Sequence, residues 1–104
     1  MNLIWGKIAF LQLKQVAKYI ESNFGTKRKN TFLKEVNHIT DLLLENPYIG
    51  ALDEALSHRL KQYRSIVIGK KNKMVYYIDS NNTIHISAFW DCRRNEQRQT
   101  SHLI

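Results

Sequence analysis

An α+β fold, with an N-terminal helical hairpin packed on a small twisted antiparallel sheet, is predicted by three features of the sequence. Apolar residues recur at helical spacing from Lys7 to Phe24 and again from Phe32 to Leu43. Beyond Lys61 the pattern changes to short β-rich runs separated by Gly, Asn, Asp and Ser. Two helices with one apolar stripe each and a sheet with one apolar face bury those surfaces by packing on one another.

The opening Asn2 to Trp5 is short and β-prone and is predicted to add a fourth strand beside the meander. In the first helix Phe10, Leu13, Ala17, Ile20 and Phe24 fall three and four residues apart, on one face. Gly25 stands where a helix C-terminus wants a left-handed residue, and Thr26 is predicted to cap the second helix. There Phe32, Val36, Ile39 and Leu43 repeat the spacing until Asn46-Pro47 ends it. Pro47 to Lys61 shows no sustained period and reads as a connection with a short helical turn around Asp53 to Ser57. Strands are predicted at Tyr63–Ile68, Lys73–Ile78 and Thr83–Trp90, an antiparallel meander. In the last, Ile84, Ile86, Ala88 and Trp90 would share a dry face, and Thr83, His85, Ser87 and Phe89 a largely wet one.

The bulk numbers fit a single domain over residues 1–104, with one core. Apolar residues at 43% and charged residues at 24% are those of a globular chain, neither disordered nor membrane-spanning. The start lacks a basic segment followed by an apolar run, and the lone Cys92 cannot form an internal disulfide, so a cytoplasmic protein is expected. The net charge of +7 is uneven. Residues 1–60 hold eight basic and six acidic side chains, and residues 61–104 hold eight basic and three acidic ones. A polyanionic partner is the first expectation from such a field.

Basic residues at the sheet end come from Arg64 in the first meander strand, Lys70, Lys71 and Lys73 at its hairpin, and Arg93, Arg94 and Arg98 beyond the last strand. Antiparallel order brings the exit of the last strand beside the start of the middle one, so the three lysines should flank Arg93 and Arg94. Guanidinium forks and lysine ammoniums suit phosphate, with Trp90, Phe89 or Tyr63 placed to stack on a base. Cleaving RNA through its 2′-hydroxyl further needs a base and an acid. His85 and His102 are base candidates, Tyr63, Tyr76 and Tyr77 donors, and Asp91 is close in sequence, without one being singled out. Cys92 lacks an active-site signature, and His38, His58, His85, His102 and Cys92 lack metal-ligand spacing. No phosphate-cradling glycine loop is present, so neither a metal nor another cofactor is expected.

The order of elements and their punctuation resemble the RelE/ParE superfamily of bacterial type II toxins, most of all its ParE-like, plasmid-stabilisation branch. The resemblance covers nearly the whole chain. It rests on Leu3-Ile4-Trp5 and Ala9, Tyr19-Ile20, Phe24-Gly25, Phe32-Leu33, Asn46-Pro47-Tyr48-Ile49-Gly50, Tyr63-Arg64-Ser65, Val75-Tyr76-Tyr77-Ile78 and, most specifically, Phe89-Trp90-Asp91-Cys92-Arg93-Arg94-Asn95. It implies a growth-inhibiting toxin neutralised by a cognate antitoxin whose flexible segment wraps around it. It also implies one of two targets: DNA gyrase, as for ParE-like members, or mRNA cut on the ribosome, as for RelE-like ribonucleases.

Where the ribonucleases place a catalytic arginine near the end of the first meander strand, this chain reads Ile68-Gly69-Lys70, and no tyrosine follows Trp90. Both differences favour gyrase. Glu96 also replaces the proline that often follows the asparagine. Under the ribonuclease alternative, Arg64, Lys70, His85, Arg93 and His102 are the catalytic candidates. Under either target, Arg64, Lys70, Lys71, Lys73, Trp90, Arg93, Arg94 and Arg98 are the candidate target surface. A non-toxic basic nucleic-acid-binding module is the further alternative. An acidic, disordered antitoxin would fold on the exposed helix faces and bring carboxylates to Arg93 and Arg94, offsetting an ordering cost of about 2–5 kcal/mol.

Overall fold

The computed structural model describes residues 1–56, 60–69 and 71–91. Strand β1 (Asn2–Trp5) is followed by helices α1 (Lys7–Phe24) and α2 (Thr26–Glu45). Then come β2 (Ala51–Leu52), a 3-10 turn at Glu54–Leu56, and β3 (Arg64–Ile68), β4 (Asn72–Ile78) and β5 (Thr83–Asp91). The five strands form one sheet in the order β1-β5-β4-β3-β2. The predicted meander is present, and the helical hairpin carries the chain back so that β1 lies parallel to β5, making the sheet mixed. The α+β class is borne out. The two-residue β2, inside the segment read as a connection, pairs with Arg64 and Ser65. It is too short to show a period.

Two glycines fix the hairpin. Gly6 donates its N–H to the Ile86 carbonyl at 2.8 Å, and a Cβ there would stand 2.9 Å from that oxygen. Gly25, at φ 93°, closes α1 through its N–H to the Glu21 carbonyl and opens α2 by accepting from Lys29 N–H. The predicted Thr26 cap is therefore not formed. Thr26 is the first residue of α2, and its hydroxyl donates to the Glu21 carboxylate.

The face α1 buries is Ala9, Leu13 and Ala17, four residues apart, with Val16 and Ile20 beside it. Phe10 and Phe24, expected on that face, are 48% and 58% exposed. Small alanines let the helix backbone approach the sheet, which turns these rings to the flanks. In α2 the expected stripe holds, with Phe32, Val36 and Leu43 buried and Ile39 partly so. These residues meet Ile68, Met74, Tyr76, Ile84, Ile86 and Phe89 from the sheet. Each fully buried side chain here contributes roughly 1.5–3 kcal/mol.

The expected division of β5 into one dry and one wet face is overturned. Val75 pairs with Ala88 but Tyr76 pairs with Ile86, so Ser87 is an extra residue, a β-bulge that inverts the alternation. Ile84, Ile86 and Phe89 therefore face the helices, whereas Ala88 and Trp90 face away. There a second cluster forms from Leu56, Tyr63, Val75, Ala88 and Trp90. The segment read as a mere connection supplies Leu56 to this cluster, so both faces of the sheet carry a core.

Candidate interaction site

The bulge decides what the Phe89–Asp91 run can do. Phe89 packs edge-on against Phe32, with ring centroids 5.9 Å apart, and tilted against Trp5 at 6.3 Å. Its N–H, beyond the end of β1, donates to Gln12 Oε1 at 2.8 Å. Trp90 lies in the opposite core beside Lys73, its cross-strand partner. Phe89, Trp90 and Tyr63 are 1%, 4% and 3% exposed. None of the three is open for base stacking; they anchor the strand from which the basic run departs.

The expected meeting of β5's exit with β4's start is present, as Asn72 pairs with Asp91. Lys71 is exposed in the β3–β4 turn. Lys73 instead points into the face away from the helices, where its ammonium lies 2.7 Å from Asp53 Oδ2 and both side chains are largely buried. Asp53 is set by its N–H bond to the Tyr63 carbonyl and by the 3-10 turn its own carbonyl caps. His58, Lys70, Cys92, Arg93, Arg94, Arg98 and His102 lie outside the described residues.

Arg64 belongs elsewhere. Opposite Tyr76 at the start of β3, it is four residues, roughly 13 Å, from the strand end that meets β5's exit. Its guanidinium donates to the Gly50 carbonyl at 2.8 Å and lies 5.1 Å from the Tyr48 ring centroid. The Tyr76 hydroxyl donates to the Pro47 carbonyl and accepts the Gly50 N–H. Burial pushes that phenol's pKa up. Three sequence phrases, Asn46–Gly50, Tyr63–Ser65 and Val75–Ile78, thus converge on one structural latch.

His85 also lies away from β5's exit, opposite Tyr77. Its Nε2 is 2.8 Å from Asp79 Oδ2, and its ring stacks on Tyr77 at 4.8 Å and 10°. Asp79 accepts the N–H groups of Asn81 and Thr83 as well. The His85 bond, above all, holds its carboxyl below the usual range. Lys61 lies over the Tyr77 ring and Tyr63 meets it edge-on. This row braces the face of the sheet turned away from α1 and α2. Among the described residues no group of three His, Cys, Asp or Glu is arranged to hold a metal, and no helix is long and apolar enough to cross a membrane.

Sequence reasoning missed an open groove of about 390 Å³ between α2 and β3, lined by Thr31, Lys34, Glu35, His38, Ile39, Val67, Ile68 and Gly69. Because β2 pairs only with Arg64 and Ser65, it leaves the outer edge of β3 uncovered by β2 from Ile66 onward. The signal available was the four-residue spacing of Lys34 and His38 on the polar side of α2.

A helical hairpin on this sheet also describes a solved chain titled "Chromosomal ParDE TA system from P. aeruginosa". The two are similar with a TM-score of 0.70 over 88% of this chain and 95% of that one, at 14% identity. No curated protein sequence matches. Residues 3–96 match the family model of the ParE toxin of type II toxin-antitoxin systems, parDE, and the chain belongs to that family. It is a type II toxin, and its partner is a cognate antitoxin.

Proposed function

We propose that this toxin arrests growth by binding DNA gyrase in the cytoplasm, without cutting RNA. The observation that supports this reading is the placement of Arg64 and His85, the two ribonuclease candidates among the described residues. Arg64 and His85 both lie away from the sheet end where β5 exits, and both are engaged, one with Gly50 and Tyr48, the other with Asp79 and Tyr77. The target surface is the basic sheet end, with exposed Lys71 among the described residues and Lys70, Arg93, Arg94 and Arg98 near it in sequence. Phe89 and Trp90 serve it as anchors. The antitoxin's acidic segment neutralises this end and uses the apolar groove beside β3.

The test is controlled expression without antitoxin, followed by a supercoiling assay with purified gyrase and primer-extension mapping of cellular mRNA. Inhibited supercoiling with intact message is expected. Codon-positioned cuts with unaffected gyrase would install the ribonuclease alternative.

A further inference from the structure

Six of the eight cations in residues 1–60 lie between Lys14 and Lys34, where the only carboxylate is Glu21. Averaging over the first sixty residues hides this cluster. Folding gathers its centre at the tip of the helical hairpin: Lys18 in the last turns of α1, and Lys27, Arg28 and Lys29 in the first turn of α2. Glu21 offers no counter-charge to the rest, because Lys29 and the Thr26 hydroxyl hold it, Lys29 drawing its carboxyl below the usual range. The first turn of α2 carries no acidic residue, although the positive end of a helix dipole disfavours cations there. Glu21 accounts for Lys29, whereas Lys27 and Arg28 break this local preference with no carboxylate against them among the described residues, as functional positions do.

Two aromatic rings share the tip. Tyr19 and Phe24 are 60% and 58% exposed and meet edge-to-face at 6.4 Å, and the Arg28 guanidinium lies 5.7 Å from the Phe24 ring centroid. Lys34, two turns on, lines the groove beside Gly69 together with Glu35, whose carboxylate ends the positive surface there. An acidic protein segment would satisfy the cations, but its carboxylates make no use of the two exposed rings. Flexible nucleic acid satisfies both, with phosphates on the cations and a base on the ring faces.

We propose that the hairpin tip, centred on Lys18, Tyr19, Phe24, Lys27 and Arg28, is a single-stranded nucleic-acid-binding surface. It is separate from the Phe89–Arg94 run and does not depend on gyrase being the target.

The experiment is fluorescence anisotropy of a labelled twenty-nucleotide oligo-dT with the full chain, titrated against salt, with circular dichroism to verify folding of each variant. Engagement of three phosphates, by Lys18, Lys27 and Arg28, gives a log–log salt slope of about −2, and K27Q/R28Q should reduce its magnitude by about 1.4. Tyr19→Ala and Phe24→Ala should each weaken binding about 5- to 150-fold at unchanged slope. Unchanged affinity and slope in K27Q/R28Q overturn the proposal. So does displacement of the oligonucleotide by polyglutamate of equal charge as effectively as by unlabelled oligo-dT, which would assign the tip to an acidic protein. Loss of gyrase inhibition with oligonucleotide binding retained, or the reverse, separates this surface from the target reading.

Discussion

The Tyr76 hydroxyl donates to the Pro47 carbonyl at 2.8 Å, joining the centre of the sheet to the turn that ends the second helix. The same oxygen accepts from Gly50 N–H, and a Cβ on Gly50 would lie 2.7 Å from it. Tyr76→Phe should cost about 1–3 kcal/mol, because two backbone groups lose their partner for one deleted oxygen. Gly50→Ala should cost a similar amount, about 1–3 kcal/mol, by overpacking. Urea denaturation of the two variants measures both, and a midpoint equal to the parent's would show that the latch contributes nothing.

Lys73 and Asp53 form a largely buried ion pair, so removing one partner takes away a charge that offsets the other's burial. Lys73→Met should destabilise the fold by about 3–5 kcal/mol. Lys71→Glu, on the exposed turn, should leave stability within about 0.5 kcal/mol while weakening the toxin's action. Thermal melts beside a growth assay separate the two lysines. Equal stability loss in both would contradict the assignment of Lys73 to structure.

Acid should act through Asp79. Its folded pKa is lowered, chiefly by His85, so near pH 4 the unfolded chain binds more protons than the folded one and stability rises with pH. That contribution is complete above the ordinary carboxylate value and is lost as pH falls through the lower folded value. Asp79→Asn should flatten the acid limb of a stability-against-pH curve. At the alkaline end Tyr76 acts oppositely, its raised pKa favouring the neutral phenol in the fold. Stability present below about pH 10 declines above it, and Tyr76→Phe should remove that decline.

Deleting Ser87 would restore strict alternation and send Phe89 and Trp90 each to the wrong core. This deletion should abolish cooperative unfolding and near-ultraviolet dichroism, whereas Ser87→Gly should retain both. A folded deletion variant would mean that the strand can slip its register.

The helices and three main strands were legible because their signals are local: periods of three to four or of two residues, bounded by glycine, asparagine and proline. What escaped notice depends on contacts distant in sequence. The bulge adds a residue without changing apolar content, although Phe89 in the supposedly wet set Thr83, His85, Ser87 and Phe89 was its trace. Lys73 read as a surface cation because Asp53, twenty positions away, looked like part of a loop. Arg64 was grouped with the sheet's exit by charge, whereas strand direction carries it to the other end. The groove beside α2 joins residues 28 to 38 positions apart, which no window of sequence displays.

The bulge at Ser87 also has a mechanical meaning. Strand β5 runs between β1 and β4, and consecutive residues at its end are sunk in cores on opposite sides of the sheet. A pull applied at Asp91 would load both cores and the ladder to β4 together, in shear, with no single row of bonds to peel. An unfolding machine gripping the chain from that side meets its stiffest resistance first, while traction on the short β1 at the sheet's edge meets a weaker one.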